Sequence, residues 1–204
     1  VGAAVAITSY VWDVATAVAW EGTSQVDIHR SITINNNTFA NIYNGVHFRG
    51  ATTRNGRALV VTNNTFTGIG GGASTAYGTY MLYLDSILYN NNISIGDVTH
   101  TNVSYHAFAS TNCGGEQFAL NNTLTLQNGT TTSTTHGITF TSIGANRMMN
   151  NNTILFGSFP AITSGPINGL AATYSGGNNN IFSEMNSNII NNQTLPPTTG
   201  TIIL

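Results

Sequence analysis

The stretch Ser31-Ile-Thr-Ile-Asn-Asn-Asn-Thr-Phe39 decides the fold, because its pattern recurs along the whole chain. Apolar and polar residues alternate on both sides of an asparagine run, which is the two-residue period of a β-strand. The last asparagine of each run lies at Asn37, Asn64, Asn92, Asn122, Asn152 and Asn180. The successive intervals are 27, 28, 30, 30 and 28 residues, so the sequence contains an internal repeat of about 29 residues.

A second short segment follows later in each period, as in Gly45-Val-His-Phe48 and His136-Gly-Ile-Thr-Phe140. These segments are rich in β-branched and aromatic residues, and no long stretch has the 3.6-residue apolar period of a helix. Several short strands per repeat predict an all-β solenoid in which each coil buries its inner face against the next coil. We expect about seven coils, counting one formed by the N-terminal segment.

The constant phase of the asparagines has a physical explanation in such a solenoid. Asparagine tolerates the left-handed backbone conformation of a tight corner. Its side-chain amide can also bond the same amide one coil away, at the interstrand distance of about 4.8 Å. The six residues at the ends of the runs are therefore predicted to form a stacking ladder.

The segment Ser31–Phe39 followed by Gly45–Phe48 resembles the repeat of right-handed parallel β-helices of the pectin-lyase-like superfamily. The resemblance covers about residues 25 to 190 and is greatest to non-catalytic phage tail-spike and adhesin rods. It implies the architecture more than an activity, because that superfamily contains lyases, hydrolases, tail spikes and adhesins.

The repeat divides the chain into three parts. Residues 1–24 are expected to form an N-terminal cap or an extra coil, 25–192 the β-helix repeats, and 193–204 an extended tail. Pro196-Pro197 separates the final strand Thr201–Leu204, which either caps its own rod or is donated to a neighbouring subunit. Asp13 and several hydroxyl residues interrupt the apolar stretch Val1–Trp20, so no membrane span is predicted.

The charge content is low. Only 6% of the residues are charged, and the formal net charge is −2. The chain holds 31 Thr, 28 Asn, 22 Gly and 15 Ser, so neutral hydrogen-bonding groups replace charges. No basic stripe is available for nucleic acid, and 41% hydrophobic residues argue against disorder. Few carboxylates also predict stability that is nearly independent of pH between about 3 and 9.

Catalytic candidates are few. Arg57, Asp85 and Glu116 have similar phases in successive repeats, so they form the one column considered for an enzyme. Glycosidases need two nearby carboxylates, and calcium-dependent lyases need an acidic cluster with a base. An ordinary surface ion pair with a spare carboxylate is the simpler interpretation. Thr135-His136-Gly137 is only a partial match to a polygalacturonase motif, and no cofactor or metal site is predicted.

Two further patterns concern rings and glycans. His106 and His136 have the same phase in successive repeats and are expected to stack. The tyrosines at 77, 80, 83, 89, 105 and 174 are candidates for sugar platforms, although core packing explains most of them. The sequons at Asn102, Asn128 and Asn192 lie outside the asparagine runs and are the preferred glycosylation candidates.

Together these features predict a non-catalytic structural or adhesive subunit of an extracellular or virion-borne spike, fibre or filament. Its expected partners are further copies of itself, as a trimer or a filament, and surface glycans. One alternative is a polysaccharide lyase or hydrolase on the same fold. Another is a glycosylated archaeal-type extracellular thread subunit joined by donated terminal strands.

Overall fold

A computed structural model describes residues 5–8, 16–21, 31–50, 58–70, 75–96, 104–127, 134–142, 146–157, 167–174, 183–191 and 202–203. These residues form β-strands and the short turns between them, and they include no helix. Within these ranges, no helix is long and apolar enough to cross a membrane.

The strands form three parallel sheets. Sheet 1 contains, in spatial order, β1 (Val5–Thr8), β2 (Thr16–Glu21), β5 (Asn44–Arg49), β8 (Ala76–Leu82), β11 (Ser104–Cys113), β14 (Thr134–Ser142), β17 (Ile167–Tyr174) and β20 (Ile202–Ile203). Sheet 2 contains β3 (Ser31–Asn35), β6 (Ala58–Thr62), β9 (Ser86–Asn90), β12 (Glu116–Leu120), β15 (Asn146–Asn150) and β18 (Ser183–Glu184). Sheet 3 contains β4 (Thr38–Ile42), β7 (Thr65–Ile69), β10 (Ile93–Gly96), β13 (Thr123–Leu126), β16 (Thr153–Phe156) and β19 (Ile189–Asn191).

The chain visits sheet 2, sheet 3 and sheet 1 in turn, from β3 to β20. Each strand pairs in parallel with the equivalent strand of the neighbouring coil, as β9 does with β6 and β12. This arrangement confirms the predicted all-β parallel solenoid. The order of the sheets recurs six times in the described residues, compared with about seven predicted coils.

The predicted N-terminal coil differs from the others. Val5 of β1 pairs with Val18 of β2, and β2 pairs with β5, so both strands extend sheet 1. Val5 and Val18 are far closer in sequence than one repeat, and no strand of sheets 2 or 3 is described between them. At the other end, β20 pairs with β17 of the same chain. The domain boundaries at 24/25 and 192/193 stay predictions.

The core is the space enclosed by the three sheets. Inward residues alternate with outward ones in β6, β9, β12 and β15, as in the buried Leu59 and Val61 of β6. Rings fill the interior, where Tyr89 of sheet 2 stacks on Phe108 of sheet 1 at 4.4 Å between ring centroids. Burial of this apolar surface supplies most of the favourable free energy, as in other close-packed proteins.

Tight corners between the sheets require unusual backbone geometry. The corner between sheets 2 and 3 places an asparagine at positive φ in each of five coils, at Asn36, Asn63, Asn91, Asn121 and Asn151. Near the end of β11 Asn112 has φ 53°, and Gly115 in the corner that follows has φ 63°. A Cβ at Gly115 would lie within 1.8 Å of the Asp85 carbonyl oxygen, so only glycine fits where the two coils meet.

Candidate functional site

A ladder of buried asparagines runs along the corner between sheets 2 and 3. The Oδ1 of Asn122 accepts hydrogen bonds from the backbone N of Asn92 at 2.9 Å and from its Nδ2 at 3.2 Å. The Nδ2 of Asn122 donates to Asn152 Oδ1 at 2.9 Å and to the carbonyl of Tyr89 at 3.0 Å. The amide of Asn122 therefore bonds to the coils on both sides.

The same pair of bonds to the next amide recurs at every step of the ladder. It joins Asn37 to Asn64, Asn64 to Asn92, Asn92 to Asn122, Asn122 to Asn152, and Asn152 to Asn188. The four inner members are at most 1% exposed. Because all their polar atoms are bonded, their burial does not carry the cost of an unsatisfied group.

Two features of the ladder differ from the sequence-based expectation. The left-handed residue is the asparagine before the ladder member, so one residue makes the turn and the next bonds the coils. The acceptor for Asn152 is Asn188, whereas the predicted sixth member, Asn180, lies outside the described residues. The interval from Asn152 to Asn188 is 36 residues, so the last coil is longer than a strict repeat allows.

The outer face of sheet 1 carries a stack of aromatic rings. Tyr77 lies between Tyr80 and His106, with centroid distances of 4.5 and 5.1 Å and interplanar angles of 25° and 28°. His106 stacks on His136 at 4.3 Å and 19°. His47 meets Tyr80 edge to face at 4.9 Å. We call these five residues the ring stack.

Parallel pairing explains the alignment of the rings. His106 is in register with Tyr77 on β8 and with His136 on β14, so all three point outward from the same position of adjacent strands. His136 is in register with Asn168, whose Nδ2 lies 2.8 Å from His136 Nδ1. This contact joins the amide of Asn168 to the imidazole of His136, and the Oδ1 of Asn168 is buried with no hydrogen-bond partner among the described residues.

The environment keeps the ring stack uncharged at neutral pH. Burial and the nearby Arg49 lower the pKa of His47 to about 4. Burial and the adjacent His136 lower the pKa of His106 to about 3, and burial also lowers the pKa of His136. Burial, with Tyr80 and Tyr43 nearby, raises the pKa of Tyr77 to about 12. Neutral rings can stack without repulsion between like charges.

The geometry limits what the ring stack can bind. A sugar platform needs an open ring face, but Tyr77 and His106 each have a ring stacked on both faces. The in-plane nitrogen lone pairs of two nearly parallel imidazoles do not converge on a shared metal ion. The described residues contain no group of three His, Cys, Asp or Glu side chains that could hold a metal ion. The arrangement therefore best fits packing between strands.

The carboxylates of the proposed catalytic column occupy neighbouring coils. Glu116 opens β12 and is in register with Ser86 and Asn146, whereas Asp85 precedes Ser86. The two residues are therefore one position out of register at the corner between sheets 1 and 2. Arg57, the third member of the column, lies outside the described residues, as do the glycosylation candidates Asn102, Asn128 and Asn192.

The sequence analysis missed two residues, Asn188 in the asparagine ladder and Asn168 beside the ring stack. Asn188 ends Asn186-Ser-Asn188, which precedes the apolar Ile189-Ile190 just as the other ladder residues precede their strands. That local pattern was a usable signal. Asn168 had no comparable signal, because its contact with His136 depends on the register of β14 and β17.

Comparisons with protein-family models, with curated proteins and with solved structures find no match to this chain.

Proposed function

We propose that the protein is a non-catalytic structural or adhesive subunit of an extracellular or virion-borne spike, fibre or filament. The observation that carries the proposal is the asparagine ladder, which bonds successive coils without interruption from Asn37 to Asn188. Such a ladder links coils without ion pairs, and parallel in-register stacking of this kind gives high resistance to unfolding. Resistance to unfolding is useful to a protein on the surface of a cell or virion, where it is exposed to the environment.

The sequence resemblance to right-handed parallel β-helices of the pectin-lyase-like superfamily supports the same function, because that superfamily includes tail-spike and adhesin rods. The ring stack is consistent with it, because Tyr77 and His106 each stack on two other rings. Further copies of the chain, as a trimer or a filament, are the expected partners.

Immunogold electron microscopy of the native source tests the proposal. An antibody against the folded chain should label extracellular filaments, cell-surface fibres or virion spikes. Gold particles confined to the cell interior would contradict the proposal. The label also separates the two forms of assembly, because a filament subunit gives labelling along a thread and a spike gives discrete points.

The enzymatic alternative has its own test. The purified protein is incubated with acidic and neutral polysaccharides, and unsaturated products and new reducing ends are measured. We expect no product above a heat-denatured control. Product formation that is lost in Glu116→Gln and Asp85→Asn, and kept in the outward Ser86→Ala, would replace the structural proposal by a lyase or hydrolase.

The thread alternative depends on donated strands. In the described structure β20 pairs with β17 of its own chain, through Ile167 with Ile202 and Asn168 with Ile203. A tail that caps its own rod predicts that deletion of residues 196–204 leaves any polymer intact. Loss of the polymer on deletion would favour donated strands instead.

A further inference from the structure

Four of the asparagine runs contain the acceptor pattern for N-linked glycans, Asn-X-Ser/Thr, at one fixed position of the repeat. In these runs the pattern begins one residue before the ladder residue and ends at the threonine that opens a strand of sheet 3. The four acceptor residues are Asn36, Asn63, Asn121 and Asn151. We call them the corner acceptors.

The structure separates each corner acceptor from the ladder. The middle residue of the pattern is the ladder residue, as Asn122 is for Asn121, and it is this middle residue that bonds the coils on both sides. The corner acceptors themselves have φ between 56° and 58° and exposed side chains. A glycan on a corner acceptor therefore does not compete with the ladder for the same amide.

The amides of the corner acceptors also have a hydrogen that a sugar can replace. Asn63 Nδ2 donates to Asn35 Oδ1 at 2.8 Å, and Asn121 Nδ2 donates to Asn90 Oδ1 at 2.9 Å. A side-chain amide nitrogen carries two hydrogens, and each of these bonds uses one of them. A sugar can therefore be attached to Nδ2 while the bond to the neighbouring coil is kept.

Two other asparagines of the same corner serve as internal comparisons. Asn91 is exposed and has φ 53°, but Ile93 takes the place of the hydroxyl residue, so the acceptor sequence is missing. Asn92-Ile93-Ser94 has the acceptor sequence, but the side chains of Asn92 and Ser94 are fully buried. The Nδ2 of Asn92 donates both hydrogens, to Val61 O and to Asn122 Oδ1. Among the described residues, exposure and acceptor sequence coincide only at the corner acceptors.

We propose that the corner acceptors carry N-linked glycans, which form a row along the edge of the rod between sheets 2 and 3. The inference rests on the proposed extracellular location, because the sugar donor, an oligosaccharide linked to an isoprenoid diphosphate, is used on the route out of the cell. In the transfer, Nδ2 forms a bond to the anomeric carbon of the donor. The bond from that carbon to the diphosphate breaks, the diphosphate leaves, and Nδ2 loses one proton to the transferase.

The spacing of the coils limits how many glycans one molecule can carry. Asn36 and Asn63 lie on adjacent coils, as do Asn121 and Asn151, and adjacent coils are about 4.8 Å apart. This distance leaves little room for two branched sugars, so we expect one glycan in each pair. An edge that carries glycans faces solvent, so copies of the chain in a trimer or filament contact one another through other faces.

The test uses the full chain secreted from a eukaryotic host that attaches N-linked glycans. Enzymatic release of the glycans in heavy-oxygen water converts each occupied asparagine to a labelled aspartate, which peptide mass spectrometry locates. We expect label at the corner acceptors and none at Asn91 or Asn92. Ile93→Thr completes the pattern at Asn91 and should add a glycan there, whereas the matched control Ile93→Val should add none. Thr123→Val should remove the glycan from Asn121, and Thr123→Ser should keep it.

Circular dichroism of the secreted proteins identifies those that are folded, and only these are mapped. Absence of label from all corner acceptors in the folded protein would overturn the proposal, and so would label confined to Asn102, Asn128 and Asn192. Equal label at Asn92 would also overturn it, because exposure at the corner would then not select the sites. The same mapping on protein from the native source separates the two proposals. Extracellular protein without glycans would overturn the glycan row and leave the structural role intact.

Discussion

At the scale of single residues, two neighbouring asparagines in each corner have different tasks. Asn121 has φ 56° and an exposed side chain, so it makes the turn. Asn122 is 1% exposed and bonds the coils on both sides. The left-handed conformation costs little for Asn and nothing for Gly, whereas a buried amide cannot be replaced without leaving its partners unsatisfied. Substitution should therefore cost much more stability at Asn122 than at Asn121.

Asn122→Ala should lower the free energy of unfolding by more than about 3 kcal/mol, because buried groups left without partners cost about 1 to 3 kcal/mol each. The backbone N and one Nδ2 hydrogen of Asn92 lose their partner and the carbonyl of Tyr89 loses its side-chain bond, whereas Asn152 Oδ1 keeps the bond from the backbone N of residue 122. Asn121→Gly is the matched control and should change stability by less than about 1 kcal/mol. Urea unfolding followed by circular dichroism measures both, and equal losses would contradict the division of tasks.

The reactivity of Cys113 reports whether the corner between sheets 1 and 2 opens. Its side chain is fully buried, and its Sγ accepts a hydrogen bond from Leu84 N at 3.3 Å. Burial raises the pKa of the thiol to about 11, so almost no reactive thiolate is present at pH 8. We expect no labelling by a thiol reagent in the native protein and complete labelling in denaturant. Fast labelling under native conditions would show that the corner between sheets 1 and 2 opens.

At the scale of elements, the ring stack changes the expected pH dependence. The sequence has few carboxylates, and that alone predicts a flat stability profile between about pH 3 and 9. The histidines of sheet 1 titrate within this range in the unfolded chain, near pH 6.5. In the folded state their pKa values are lowered, so the unfolded chain binds more protons than the folded chain below pH 6.5. The free energy of unfolding therefore decreases as the pH is lowered.

The melting temperature should therefore be constant from about pH 7 to 9 and decrease below about pH 6.5. The stability loss should be on the order of 1 kcal/mol per histidine for each pH unit down to the folded pKa values, discounted for partial exposure. Those values are about 4 for His47 and about 3 for His106. His106→Phe with His136→Phe keeps two rings in the stack and should flatten the profile. Calorimetry of both proteins across this pH range measures the melting temperature. An unchanged dependence of the melting temperature on pH in the double variant would contradict the assignment of the stability loss to these histidines.

The elements also explain how far sequence reasoning reaches. Alternation and the 29-residue period depend only on local patterning and repetition, so they predict the parallel solenoid and five ladder positions from Asn37 to Asn152. The sixth predicted position, Asn180, lies outside the described residues, and the ladder continues from Asn152 to Asn188 over 36 residues, an interval that a fixed period does not anticipate. The stack of His106 on His136 could be predicted from the repeat period alone. The extension to Tyr77, Tyr80 and Asn168 depends on strand register, which spacing alone does not define.

At the scale of the whole molecule, stability should vary along the rod. A solenoid coil contacts only its neighbours, so an inner coil is held on two faces and an end coil on one. The ladder reflects this difference, since Asn92 is fully buried whereas Asn37 is exposed and bonds to one neighbouring amide. Three of the five residues of β3 and three of the five residues of β4 are exposed, and Ile189 of β19 is 60% exposed.

Hydrogen exchange should therefore be slowest in the central strands β9 to β13 and fastest in β3, β4, β18 and β19. The same gradient should appear in substitutions along one ladder. Asn37→Ala should cost less than about 1 kcal/mol, because its groups lie near water, and Asn92→Ala should cost more than about 3 kcal/mol. Mass-resolved exchange and urea unfolding measure the two quantities independently. Uniform protection along the rod, together with equal costs at Asn37 and Asn92, would mean that the coils unfold as a single cooperative unit and that nearest-neighbour bonding does not determine stability.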